Sequence, residues 1–386
     1  MNMKSLVLGA AGIMAATGAQ AADLPVAPEP VDYVRVCDAY GAGFYYIPGT
    51  ETCLKIGGGI RAEYRVWDND SKKGNDTSTR ARAYLRMDAR TNTEYGLLRT
   101  YVDLWFTSDS YEGESGKNTV RQAFIQFGGL TAGRTESFFD FYTGDTFESV
   151  FDLAQSDRRP TLLGYTAAFS NGFSASVSVE DGTVRRHEIF NALTGNDAYG
   201  GHRFPELVAN LRVDQGWGSA QLSGALHDVR DGVGNNDDSE LGWAVQAGVT
   251  FNLPMIAAGD SVSFQAAYAE GATDYVTPGL EGSSFDFDAI RRPSGTLELT
   301  KAWSVSGGFT HFWTPEVSTA ITTSYVDVDN WGKLADVKEW DIQGNIVWSP
   351  VSGFLIGAEF EYANTEFEVG PDQDTWVGML RVQRTY

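Results

Sequence analysis

The chain has 386 residues, with 51 acidic against 29 basic side chains and a formal net charge of -22 at pH 7. That balance excludes the basic footprint that nucleic-acid binding requires. A mean hydropathy of -0.25 would pass for a soluble protein, so the pattern along the chain, and not the average, decides the class.

The first element is not part of a fold. In MNMKSLVLGAAGIMAATGAQAAD a single Lys4 precedes a short apolar run from Leu6 to Ala16, and Ala19-Gln20-Ala21 is a small-x-small cleavage site. Residues 1–21 therefore read as a secretory signal peptide, with Ala22 the expected mature N-terminus. No later apolar run is long enough for a membrane helix. Residues 22–54 form an N-terminal segment with the two cysteines, Cys37 and Cys53. In an exported chain these are expected to form one disulfide; two free thiols are the alternative, and no histidine lies near enough to suggest a metal.

From residue 55 onward a period of two dominates. In KIGGGIRAEYRVW, Ile60, Ala62, Tyr64 and Val66 alternate with Arg61, Glu63 and Arg65. In STRARAYLRMDAR, Ala81, Ala83, Leu85, Met87 and Ala89 alternate with Arg80, Arg82, Tyr84, Arg86, Asp88 and Arg90. LRTYVDLWF sets Leu98, Val102, Leu104 and Phe106 against Arg99, Tyr101 and Asp103. FSASVSVE, WAVQAGVTF and WDIQGNIVW repeat the pattern. Such alternation means β-strands, and a length of about ten residues suits a strand that crosses a bilayer at a tilt.

Short turns (TNTEYG, FGGL, SNG, DQGWG, SPVSG) alternate with long polar connections near residues 68–78, 107–117, 136–159, 181–203, 229–239, 272–301, 327–338 and 366–374. Eight long loops predict about sixteen strands in an all-β, transmembrane antiparallel barrel over residues 55–386, both ends on the short-turn, periplasmic side. Trp217, Trp313 and Trp348 fall at strand ends by the short turns, where an interfacial aromatic girdle belongs. The competing architecture is a soluble β-sandwich array, which strand length and loop alternation disfavour.

A barrel of this size is too wide for side chains to fill, so the hydrocarbon face meets lipid and the charged face lines water. Counting inward from the strand ends places Arg61, Arg86 and Arg99 near mid-barrel and Arg65 and Arg82 higher, a basic patch on one wall. The long segment 136–159 carries Glu136, Asp140, Asp145, Glu148, Asp152 and Asp157 among Phe138, Phe139, Phe141, Phe147 and Phe151. That is too aromatic for a solvated loop, so it is expected to fold inward and set Asp140, Asp145, Glu148 and Asp152 against the arginines, giving a transverse field across a narrowed passage. The plainer alternative is local pairing of the arginines with Glu63, Asp88 and Asp103.

The opening VRVCDAYGAGFYYIPGTETCLKIGG and the closing RVQRTY resemble the alphaproteobacterial outer-membrane porin family, through most of the mature chain. The resemblance implies a sixteen-stranded barrel, a homotrimer, a third loop that constricts the pore, and passive diffusion of ions and small hydrophilic solutes. It places the chain in outer-membrane lipid and lipopolysaccharide, with no cofactor, no metal and no nucleic-acid partner. Two departures stand out: the chain ends in Tyr386 rather than phenylalanine, and Arg384 shares the outward register of Trp376, Leu380 and Val382. None of His187, His202, His227 and His311 sits in a nucleophile-elbow context, so no enzyme is expected. The rival function is a substrate-specific channel with a saturable site; an adhesin or structural barrel ranks third. The acidic loops predict a weak preference for cations.

Overall fold

The computed structural model describes residues 35–67, 75–111, 116–233, 239–280, 286–332 and 336–386; the expected signal peptide lies outside them. Sixteen strands form one sheet: β1 (Cys53–Trp67), β2 (Thr77–Thr93), β3 (Gly96–Asp109), β4 (Lys117–Phe127), β5 (Leu130–Arg134), β6 (Thr161–Ala168), β7 (Phe173–Glu180) and β8 (Glu206–Gln215). The second half is β9 (Gly218–Arg230), β10 (Ser239–Asn252), β11 (Ser261–Glu270), β12 (Lys301–Thr314), β13 (Val317–Asp329), β14 (Val337–Val351), β15 (Phe354–Phe367) and β16 (Gln373–Thr385). Each strand pairs antiparallel with its neighbour, and β16 returns to β1, from Gly59 opposite Thr385 to Trp67 opposite Val377. The sheet is closed. Closure brings backbones close at the glycine run of β1: a Cβ on Gly58 would collide with the carbonyl of Tyr84, and one on Gly59 with that of Arg384, which is why only glycine fits there.

The alternation gives an inverted burial. Inward residues are polar and covered, such as Arg65 at 1 % and Gln343 at 0 % exposure, while outward Ile60 is 61 % and Leu222 56 % exposed. Leu85 and Met87 are half-buried on the outer face, and their neighbours Arg86 and Asp88 point inward. Such an outer surface is stable only against hydrocarbon, because water would meet a continuous apolar belt. Among the described residues no helix is long and apolar enough to cross a membrane; the strands do the crossing.

Two aromatic belts bound the apolar band. Trp217, Trp313 and Trp348 stand exposed at the short-turn end as expected. A second series, which the sequence reading did not single out, runs near the long-loop end through Trp243–Tyr268, Trp303–Tyr325 and Trp340–Tyr362 contacts. From Trp340 to Trp348 on β14 is about 26 Å of strand, or about 20 Å of height at a tilt near 40°, close to the apolar thickness of outer-membrane barrels.

At the short-turn end, Cys37 and Cys53 form a disulfide with Cα atoms 6.0 Å apart, and Tyr45–Tyr46 pairs with Cys53 and Leu54. Tyr386 exchanges backbone hydrogen bonds with Gly58 at 3.1 Å in both directions. The outward Arg384 folds onto the adjacent turn, donating from Nη1 to the carbonyl of Ser352 at 2.7 Å, so it sits at the membrane edge. At the other end, the loops after β7 and β11 form a small sheet of Ile189–Asn191, Ala289–Arg291 and Leu297–Leu299.

Candidate functional site

The connection from β5 to β6 lies against the inner face of the barrel, and its hydrogen bonds trace its course strand by strand. Glu180 on β7 accepts from the Ser137 hydroxyl and the Phe138 N–H, and Asn210 on β8 donates to the Phe138 carbonyl. Gln221 and Ser223 on β9 and Gln246 on β10 all donate to the carbonyl of Phe139. Ser263 on β11 accepts from the Gly144 N–H, Ser306 on β12 from the Thr143 hydroxyl, and Thr322 on β13 from the Thr146 hydroxyl. Asn345 on β14 donates to the carbonyl of Asp145. On β15, Glu359 accepts the Phe147 N–H at 2.5 Å, and Glu361 accepts those of Ser149, Val150 and Phe151 at 2.8, 3.2 and 3.0 Å. A polar wall thus satisfies the backbone of a segment that has no sheet of its own.

The loop's aromatic rings rest where the wall has no side chains. A Cβ on Gly164 would strike Phe138, one on Gly248 would strike Phe141, and one on Gly357 would strike Phe147. Wall glycines and loop phenylalanines interlock, and burial of those rings holds the segment down. Among the described residues, 137–158 make no hydrogen bond to β1, β3 or β4. The loop touches that side through Arg80 of β2, which reaches the Ser149 carbonyl at 3.4 Å, and through Arg381 of β16, which lies 3.9 Å over the Phe147 ring.

The four acidic residues expected to face the arginines divide. Asp140 is turned away: it accepts from Arg185 Nη2 at 3.1 Å, from the Arg158 N–H at 2.9 Å and from the Ser156 hydroxyl. Burial, opposed by Arg185, raises its carboxyl to about 7. Asp145 stays exposed but accepts from Thr310 on β12 at 2.6 Å, on the wall opposite the arginines. Glu148, at the loop's far end with φ +46°, and exposed Asp152 remain beside Asp157 as an acidic edge. Burial first, then the charges of Asp152 and Asp157, raise Glu148 to about 8.

The basic wall also divides. Nine arginines (Arg61, Arg65, Arg80, Arg82, Arg86, Arg90, Arg99, Arg121, Arg381) share the inner face with Glu63, Asp88, Asp103 and Asp109. Glu63 holds Arg381 at 2.6 Å and Arg80 at 3.2 Å; Asp109 holds Arg80 at 2.6 Å and also Arg65. Asp88 holds Arg90 at 2.7 Å and Arg99 at 3.0 Å, and Asp103 holds Arg86 at 3.2 Å. Arg65, buried and paired, does not face open lumen. Arg99 is not at mid-barrel either: it lies opposite Arg90, three residues from the short turn. For these two the local pairing prevails.

Arg61, Arg82 and Arg86 remain accessible, with Arg82 directly opposite Arg61 in the β1–β2 ladder. The sequence reading missed a further member, Arg121. The pairing of β3 with β4 slips between Asp103 and Leu104, so that Val120 and Gln122 oppose consecutive residues and Arg121 is the extra residue of a bulge. Strict alternation fails there, yet the side chain comes to lie over Trp105 of the inner face. Glu63, one of the local partners expected from the sequence, holds Arg80 and Arg381, whereas Arg381 itself and Asp109 were not singled out.

The loop is tied in turn to the connections above it. Asp274 accepts from Arg158 Nε at 2.8 Å and from Arg185 Nη1 at 3.2 Å, with His187 Nε2 at 3.3 Å. Burial opposes that charge, but the His187 bond and the two guanidiniums hold the Asp274 carboxyl well below its usual range. Tyr275 packs edge-on to Phe139 at 4.6 Å. The histidines serve such contacts: His227 bonds Glu206 at 2.7 Å and His311 bonds Asp260 at 2.7 Å.

The comparisons with known proteins agree with this geometry. The family model described as "Porin subfamily" matches residues 23–379. Porin Omp2b of Brucella suis is 35% identical over 419 residues, covering all of both chains, and that of Brucella canis is 33% identical over 408 residues, again with full coverage. Among solved structures, the outer membrane channel DcaP of Acinetobacter baumannii superposes with a TM-score of 0.74 over 88% of this chain and 99% of its own, at 16% identity, which speaks to the fold. With a closed barrel, an apolar outer face and a charged wet interior, this chain belongs to the porin subfamily and is an outer-membrane channel for passive diffusion of ions and small hydrophilic solutes.

Proposed function

We propose that solutes cross along the one stretch of inner wall the loop leaves open, β1 to β4, between Arg61, Arg82, Arg86 and Arg121 on one side and Glu148 and Asp152 on the other. The observation that carries this reading is the loop's attachment: every strand from β7 to β15 contributes a hydrogen bond to it, whereas among the described residues the wall from β1 to β4 bonds it through Gln122 to Glu136 and Arg80 to the Ser149 carbonyl alone. Segment 136–159 is then the constriction, and the opposed charges across it orient dipolar solutes and slow apolar ones. Shortening the segment between Gly144 and Phe151 is expected to raise single-channel conductance in planar bilayers; unchanged conductance would place the narrowest point elsewhere.

The same proposal includes a homotrimer, contact of the outer face with lipid and lipopolysaccharide, and no enzymatic activity. The outer face of β2 presents Ala81 and Ala83 in a shallow groove of about 350 Å³ between Ile60 and Phe106, where a neighbouring barrel can approach closely. The native mass in detergent tests it: a single-chain mass would refute the trimer.

A further inference from the structure

Three guanidinium groups on the uncovered wall carry charge that no carboxylate holds closely, and two of them share one neighbour. Arg82 and Arg121 lie 4.1 and 4.0 Å from the ring centroid of Trp105. Arg121 makes no hydrogen bond or ion pair among the described residues. Arg82 donates through Nε to the Thr107 hydroxyl at 2.9 Å, leaving both terminal nitrogens available. Arg61, across the ladder, donates through Nε to Gln383 at 2.9 Å and stands 3.8 Å from Glu63, which is held more closely by Arg381 and Arg80.

The nearby carboxylates are engaged. Arg159 holds Asp157 at 3.0 Å and approaches Glu136 at 3.7 Å; Asp157 also accepts from the Tyr142 hydroxyl, and Asp103 holds Arg86. The indole Nε1–H of Trp105 is itself buried and donates to nothing in the protein. A buried donor without an acceptor costs about 1–3 kcal/mol, and like charges gathered on one ring repel. The five arginines Arg65, Arg80, Arg90, Arg99 and Arg381 show how this wall pairs its charges for stability. Arg82, Arg121 and Trp105 break that rule together, at one place, facing the passage.

We propose that Arg82, Arg121 and Trp105, with Arg61 opposite, form a binding station for small solutes that carry two or more negative charges on oxygen. This rests on the passage described under the proposed function. Guanidinium groups stacked on an indole keep their edge N–H donors in a flat fork, the shape that binds carboxylate or phosphate oxygens in pairs. The ring holds them in place before the solute arrives, so less freedom is lost on binding. A halide would balance one charge; a multivalent oxyanion can bridge two guanidiniums.

The test is single-channel current through purified protein in potassium chloride, with citrate or inorganic phosphate titrated at constant ionic strength. The expected result is a current that falls along a saturating curve. Arg82→Ala and Arg121→Ala should each raise the half-blocking concentration tenfold or more, and Trp105→Ala, which removes the ring on which both guanidiniums stack, about fivefold. Arg121→Lys, which keeps the charge and loses the fork, should fall between wild type and Arg121→Ala, and serves where the alanine variant fails to insert. Arg384→Ala, which removes a charge outside the lumen, should block like wild type. Current that declines without a plateau, or variants at Arg82, Arg121 and Trp105 that block like wild type, would overturn the station while leaving the passage intact. Absence of any potassium chloride conductance would overturn the passage and the station with it. Saturation by citrate alone or by phosphate alone identifies which oxyanion source the station accepts.

Discussion

The walls from β7 to β15 and from β1 to β4 are built on the same alternation, yet their inner faces do opposite work. The first is studded with amides, hydroxyls and glycines: Asn210, Gln221, Gln246, Ser263, Gln343 and Asn345 bond the loop backbone, Ser306 bonds the Thr143 hydroxyl, and Gly164, Gly248 and Gly357 receive its rings. The second carries long arginines, most of them paired with Glu63, Asp88, Asp103 and Asp109 across the strands, and offers few of the short acceptors and glycines that seat the loop. A barrel's interior therefore sorts its contents by side chain: amides, hydroxyls and the carboxylates of Glu180, Glu359 and Glu361 dock the loop, and most of the guanidiniums line the wall it leaves uncovered. The outer face gives no hint of this division.

Because the two walls differ in what holds them, they should fail differently. The largest effect is expected at Glu63, which is buried and holds Arg381 and Arg80. Glu63→Ala strands those charges and should cost about 3–5 kcal/mol, read as a lower unfolding midpoint of the barrel in urea. A loss below 1 kcal/mol would mean the wall's arginines are solvated rather than paired.

On the covered side, Asp274→Asn should loosen the loops while sparing the barrel, read as faster proteolysis within 181–205 and 271–300 at unchanged barrel unfolding. The same junction gives a pH dependence. Burial opposes the charge on His187, but the hydrogen bond and charge of Asp274, with Asp286 and Asp288, raise it to about 9. A value above the unfolded 6.5 means the stabilisation is complete below pH 6.5 and is lost as pH rises through about 9. Loop proteolysis should therefore accelerate between those values, and His187→Ala should remove the dependence.

A smaller change is expected across the passage. With Glu148 raised to about 8, the loop's edge gains negative charge as pH rises from 7 to 9, so potassium permeability relative to chloride should increase with a midpoint near 8. Glu148→Gln should flatten that curve. The smallest effect belongs to Arg384, exposed and bonded to a turn carbonyl: Arg384→Ala should change stability by less than about 0.5 kcal/mol.

The barrel was legible because lipid and water impose a period of two that no soluble sheet reverses; the eight long connections and the outward register of Ile60, Leu85 and Met87 follow from it. The loop's inward course was legible from Phe138, Phe139, Phe141, Phe147 and Phe151 in a segment otherwise polar. What alternation cannot convey is partnership. Arg65 and Arg99 carry the same inward register as Arg82, and only the cross-strand positions of Asp109 and Asp88 separate the paired from the available. Asp140 looks like any loop carboxylate until Arg185, 45 residues later, returns to it. Arg121 was hidden by a bulge, where the period itself breaks.

The central claim, an open wall facing a covered one, is tested most directly by thiol accessibility inside the barrel. The native cysteines are joined to each other and no free one occurs among the described residues. Arg86→Cys replaces a side chain 45% exposed on the open wall, and Gln343→Cys one that is 0% exposed beneath the loop. A charged, water-soluble thiol reagent should modify position 86 quickly and lower the single-channel current, and leave position 343 unmodified. Rapid modification at 343 with protection at 86 would contradict the account.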